Sequence, residues 1–189
     1  MCVVRADARR NRAAIVAAAH DLVSEVGPDL RMDDLAARAG VAVGTLYRHF
    51  PTKQELVAAT LAASMGELTE LAEAAVPAIE RGADPAGAFA ELFREVVDRQ
   101  ARDRRVKAAA ASLDTAAALE ELDADGVLGR AMAAFTAALR AAQQAGLVRD
   151  EVTLTDLVAL LDAVPSDADE ATRRRLTTIV LAGLRPPTA

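Results

Sequence analysis

The side chains best suited to chemistry are crowded into one short stretch: Thr45, Tyr47, Arg48, His49 and Lys53, with Val43 and Gly44 just before them. Two hydroxyls, a guanidinium, an imidazole and an ammonium within eleven residues offer donors to phosphate oxygens and base edges, not the parts of a catalytic centre. A nucleophilic site needs an activating partner. The two His are residues 20 and 49 and the single Cys is residue 2, so residues 61–189 contain neither type. They therefore hold no Ser/His or Cys/His pair and no His-rich metal site. Carboxylates are plentiful, 28 in all, but fall on the polar faces of helical patterns, where solvent is their default surrounding. No catalytic role, cofactor or metal is expected.

The elements that would position these side chains are helices. Ile15, Ala18, Ala19, Leu22 and Val26 recur at helical spacing, predicting a helix from about Ala8 to Val26 that Gly27-Pro28 ends. A helix over Met32 to Ala39 stops at Gly40, and another runs from Val43 to His49 ahead of Pro51. Gly40 supplies the left-handed backbone that a tight turn between two helices demands. Leu35, Ala36, Leu46 and Phe50 form the inner faces, leaving Val43, Gly44, Thr45, Tyr47, Arg48 and His49 outward. This is the build of a helix-turn-helix whose second helix enters the major groove of double-stranded DNA. Arg48 suits a bidentate contact to guanine. Thr52 and Glu55 read as a capping box opening a long helix to about Ile79, and Lys53 in its first turn opposes the helix dipole, which a phosphate partner would explain.

Residues 8–58 resemble the N-terminal DNA-binding domain of TetR-type (tetracycline-repressor-like) transcriptional regulators. The resemblance is carried by Gly44-Thr45-Leu46-Tyr47-Arg48-His49-Phe50-Pro51-Thr52-Lys53-Gln54-Glu55-Leu56 following Leu35-Ala36-Ala37-Arg38-Ala39-Gly40-Val41. It implies that Tyr47, His49 and Lys53 bind phosphates and that Thr45 and Arg48 touch phosphate or base. It also implies that the basic start, including Arg5, Arg9 and Arg12, lies on the DNA backbone or in a minor groove. Arg31, Ala42 and Val43 depart from the family pattern, the first two by lacking a capping hydroxyl; Val43 can pack on a thymine methyl instead.

Composition agrees with an all-α fold of about nine helices. Of 189 residues, 46 are Ala and only 3% are aromatic, which favours helix and starves a sheet. The longest uncharged run, Leu56 to Gly66, is too short to cross a membrane, for which about 18 residues are needed. No signal peptide is visible and one Cys excludes a disulfide framework, so the cytoplasm is the expected location. Net charge is −6, yet residues 1–60 carry +1 and residues 61–189 carry −7, so the acidic total says nothing against a local DNA-binding face.

Two domains are expected: 1–58 for DNA binding and 59–189 for ligand binding and dimerisation. In the second, Asp84-Pro85 reads as a helix start, followed by the stripe Phe89, Leu92, Phe93 and Val96. A further helix carries Met132, Phe135 and Leu139 to Gly146. Met65, Phe89, Phe93, Met132 and Phe135 form either plain core or the wall of a small-molecule cavity. Leu154, Leu157, Val158 and Leu161 make one short apolar stripe; Leu176, Ile179, Val180 and Gly183 make another, on a helix that Ser166 and Asp169 introduce. These two stripes are expected to form the homodimer seam, with Arg173, Arg174 and Arg175 solvated or paired at its rim. The expected function is a homodimeric repressor on palindromic DNA, released when a small-molecule effector alters the spacing of the recognition helices. The rival readings are a helical protein-interaction module that does not bind DNA, and an enzyme with a carboxylate site.

Overall fold

A computed structural model describes residues 2–123 and 126–187, with side chains described from residue 7 and not for 121–123; Arg5 of the basic start lies outside those side chains. The described residues form nine α-helices and no strand. They are α1 (Cys2–Val26), α2 (Met32–Ala39), α3 (Val43–His49), α4 (Lys53–Arg81), α5 (Pro85–Ser112), α6 (Ala116–Asp123), α7 (Val127–Gln144), α8 (Leu154–Asp162) and α9 (Glu170–Leu184). No described helix is long and apolar enough to cross a membrane.

The punctuation follows the local chemistry. Gly40 adopts φ 67°, and the N–H groups of Gly40 and Val41 bond the carbonyls of Ala37 and Ala36, closing α2 with a Schellman turn. Gly146, φ 68°, ends α7 in the same way. Asp84 caps α5 through the Gly87 N–H at 2.9 Å, with Pro85 at the first helical position. Thr52 accepts from the Glu55 N–H at 3.2 Å, but its hydroxyl, not its backbone, donates to the Glu55 carboxylate, so only half of the expected box forms. α9 starts at Asp169, whose carboxylate accepts the Thr172 N–H, and not at Ser166. α1 begins six residues before Ala8, since nothing between breaks a helix, and its buried stripe turns from Ala19 to Val23, leaving Val26 exposed. α6 was not foreseen: its eight residues carry no clear stripe.

The chain divides into two compact units. The first comprises Met1–Ser64 and Asp103–Val127, the second Met65–Arg102 and Leu128–Ala189. A cut after residue 58 does not coincide with this division. Val106, Ala109 and Ala110 of α5 share a buried cluster with Ile15, Ala19, Val23, Leu35, Leu46 and Leu56, so the second half of α5 packs with the N-terminal helices. The core of the second unit gathers Ile79, Phe89, Phe93, Val97, Leu139, Leu157 and Leu184, beside a smaller cluster around Leu68, Leu92 and Val96.

Candidate nucleic-acid interface

α3 is held from inside by two side chains, Leu46 and Phe50, both almost fully buried. With only seven residues it is too short to be stable alone, so this burial keeps it in place. The opposite face is open: Val43, Gly44, Tyr47 and Arg48 are exposed, and Thr45 and His49 are half-buried. This matches the face expected from spacing. Ala42 offers no side-chain bond to the start of α3, nor Arg31 to that of α2. α2 is tied to α1 by the Arg38–Glu25 ion pair at 2.9 Å, and the bond to Glu25 raises the Arg38 pKa.

Two of the expected DNA contacts are less simple than the sequence implied. Lys53 is half-buried and its Nζ donates to the Pro28 carbonyl at 3.3 Å, so its cation also satisfies the turn after α1. The Arg12 guanidinium lies over the Phe50 ring, 5.0 Å from its centroid, a cation–π contact that joins α1 to the end of α3. Arg12 is still exposed, and so is Arg9. In the same run Arg10 pairs with Asp7.

The other predicted sites lie in the second unit and are not brought together. Phe89 and Phe93 are buried in one cluster, Phe135 is half-buried against another, and Met65 and Met132 are exposed. The C-terminal stripes split likewise. Leu157 is buried inside the unit, Leu161, Leu176 and Val180 are half-buried, and Ile179 and Gly183 are exposed. Arg173, expected to be solvated or paired at the dimer rim, pairs within its own unit: its Nε faces Asp98 at 3.4 Å and its Nη1 donates to the Ala168 carbonyl at 2.6 Å. Arg174 and Arg175 remain exposed. Among the described residues no group of three or more His, Cys, Asp or Glu is placed to hold a metal ion.

One polar cluster escaped the sequence reading. Asp103, 4% exposed, accepts from His20 Nε2 at 2.7 Å and from the Ser64 hydroxyl. Its only sequence signal is a carboxylate breaking the apolar stripe that continues through Val106 and Ala110.

The fold agrees with comparison to known proteins. Residues 15–60 match the model of bacterial regulatory proteins, tetR family, and residues 84–186 match a transcriptional regulator SbtR-like C-terminal domain. A solved TetR transcription regulatory protein of Mycobacterium vanbaalenii is 33% identical, with TM-score 0.75, over 97% of this chain and 99% of that one. The chain belongs to the TetR family. A TetR transcriptional regulator of Streptomyces coelicolor is 31% identical, TM-score 0.71, over 94% of this chain and 99% of that one. An HTH-type transcriptional repressor of Mycobacterium tuberculosis is 45% identical over 89 residues, 46% of each chain, so the match spans about half the length of that relative. The protein is thus a TetR-family transcriptional regulator with a helix-turn-helix DNA-binding domain, and its relatives are regulators, not enzymes.

Proposed function

We propose that this TetR-family protein is a cytoplasmic repressor that binds a two-fold symmetric DNA site as a homodimer and leaves it when a small molecule binds the second unit. The observation that carries the reading is the outward face of α3, with Val43, Tyr47 and Arg48 exposed on a helix locked from behind by Leu46 and Phe50. Arg48 reads a guanine; Tyr47, His49 and Lys53 hold phosphates, and Arg9 and Arg12 approach the backbone. Repression is supported by the name of the Mycobacterium tuberculosis relative.

The dimer seam is drawn from α8 and α9. Ile179 is 67% exposed and Val158 46%, apolar side chains on the outer faces of α9 and α8 that a partner helix would cover. A Cβ at Gly183 would meet nothing within 4 Å, so the backbone of α9 is bare on that side and open to a close helix approach across a two-fold axis. Two α3 helices about 34–36 Å apart then reach successive major grooves. An effector that binds better to another arrangement of the helices lowers DNA affinity by that difference. Its site would lie in the second unit, where Phe89 and Phe93 share one buried cluster and Phe135 packs on another.

Sequencing the duplexes that the purified protein enriches from a random pool tests the DNA reading: an inverted repeat supports it, and no enrichment refutes it. Ile179→Glu places a charge in the proposed seam. It is expected to give folded monomers in sedimentation with weakened binding to the enriched duplex; a dimer with wild-type affinity moves the seam elsewhere.

A further inference from the structure

We propose that His20, Ser64 and Asp103 form a polar latch that fixes the register of α1 on α4 and α5, and so presents the basic start of α1 beside the recognition helix. The second step rests on the DNA reading above; the first does not.

The three side chains come from three helices of the first unit and are far apart in sequence, His20 on α1, Ser64 on α4 and Asp103 on α5. Ser64 and Asp103 are 5% and 4% exposed. A carboxylate removed from water costs stability unless its oxygens find donors, and here each oxygen has one. A bond from the ring to a carboxylate requires Nε2 to carry the proton. Nδ1 looks the other way, towards Asp21 at 3.8 Å on the solvent side.

The surroundings explain why a latch is needed. Ile15, Ala19 and Val23 of α1 share one buried cluster with Val106, Ala109 and Ala110 of α5. These side chains are mostly small, and apolar burial has no preferred direction, so the interface alone discriminates weakly between registers. Hydrogen bonds are directional. A slip of α1 by one helical turn, about 5.4 Å, would break the His20 bond and leave one oxygen of the buried Asp103 carboxylate without its donor, while the Ser64 bond between α4 and α5 stays. The same slip would carry Arg12 off the Phe50 ring, since Arg12 sits on the same continuous helix about 12 Å from His20. The cluster therefore positions α1 and does not itself touch DNA.

His20→Ala, Asp103→Ala, the double variant and His20→Gln separate the latch from a merely structural role. They are compared at a temperature where circular dichroism shows each one folded, using the duplex that the wild-type protein enriches. Asp103→Ala is expected to weaken binding about tenfold, and His20→Ala to add less than about twofold on top of it, because both break one unit. His20→Gln, whose amide can still donate to Asp103, is expected to keep affinity within about threefold. Amides of Ile15–Val23 are expected to exchange about tenfold faster in Asp103→Ala while those of α2 do not change. Ser64→Ala removes one arm only and supplies the smaller version of each effect if Asp103→Ala does not fold. Wild-type exchange in α1 in these variants, or single losses that multiply in the double variant, would overturn the latch. If the wild-type protein enriches no duplex, the DNA reading falls while the α1 exchange rates still decide the register.

Discussion

α2 and α3 begin at Arg31 and Ala42, which offer no side-chain oxygen to the first turn, whereas α8 and α9 begin at Thr153 and Asp169, which do. At α8 the box is complete: the Thr153 hydroxyl accepts the Asp156 N–H at 3.2 Å and the Asp156 carboxylate accepts the Thr153 N–H at 2.8 Å. The two regions are therefore stabilised by different means. The C-terminal pair satisfies its first amides with its own side chains. The motif helices leave theirs without such bonds and depend on burying Leu35, Ala36, Leu46 and Phe50. Forgoing an N-cap costs about 1 kcal/mol, and here that cost falls beside the face proposed to bind DNA, as expected where binding and stability compete.

The comparison breaks most sharply at Leu46. Leu46→Ala leaves a cavity under a seven-residue helix without a cap, and is expected to cost about 2–5 kcal/mol in chemical denaturation, with DNA binding lost. Thr153→Ala should cost only about 1 kcal/mol, because α8 keeps its buried Leu157. Equal costs would mean that the motif is not held by burial. Next in size, Arg48→Ala removes an exposed side chain from α3. Stability should stay within about 0.5 kcal/mol, while binding to the enriched duplex falls by about 1–3 kcal/mol and preference relaxes at one base pair. A loss of equal size on every duplex would assign Arg48 to phosphate. Smaller again, Ala42→Ser adds the missing cap and should raise stability by about 1 kcal/mol, opposite in sign to Thr153→Ala. Thermal unfolding of the two variants side by side checks both signs.

The same contrast marks what could be read from the chain. Where one residue type settles the backbone locally, as at Gly40, Pro51 or Asp84-Pro85, the bounds of α2 and α3 and the start of α5 were legible. The outward face of α3 was legible too, because Leu46 and Phe50 leave little choice over seven residues. α6 was not, since its eight residues show no clear stripe; nor was the α9 start, where Ser166 and Asp169 read together as a box but Asp169 is itself the cap, accepting the Thr172 N–H. Side-chain partners distant in sequence were invisible: Lys53 to Pro28, Arg12 to Phe50, Arg173 to Asp98, and His20 to Asp103. The two C-terminal stripes have helical spacing, but spacing cannot say how an apolar set is shared between the unit's own core, which takes Leu157, and an outer face, which keeps Val158 and Ile179.

The smallest expected effect concerns the charge, not the shape, of the α9 cap. Bonds from the Thr172 backbone N–H and hydroxyl hold the Asp169 carboxyl below the usual aspartate range. A depressed folded-state pKa means that ionisation adds stability above the unfolded value, near 3.9, and that this contribution fades as pH falls through the lower folded value. Asp169→Asn keeps an oxygen for the Thr172 N–H but has no charge to offer the start of α9. Wild type should therefore melt slightly above Asp169→Asn at pH 5.5, and the two midpoints should converge as pH falls past the unfolded value and through the lower folded one. At Ala42 no such charge exists, so Ala42→Ser should show the same gain at pH 5.5 and in acid. A gap between wild type and Asp169→Asn that persists into acid would assign the α9 cap to hydrogen-bond geometry alone, and the acidic start of that helix would then contribute nothing through its charge.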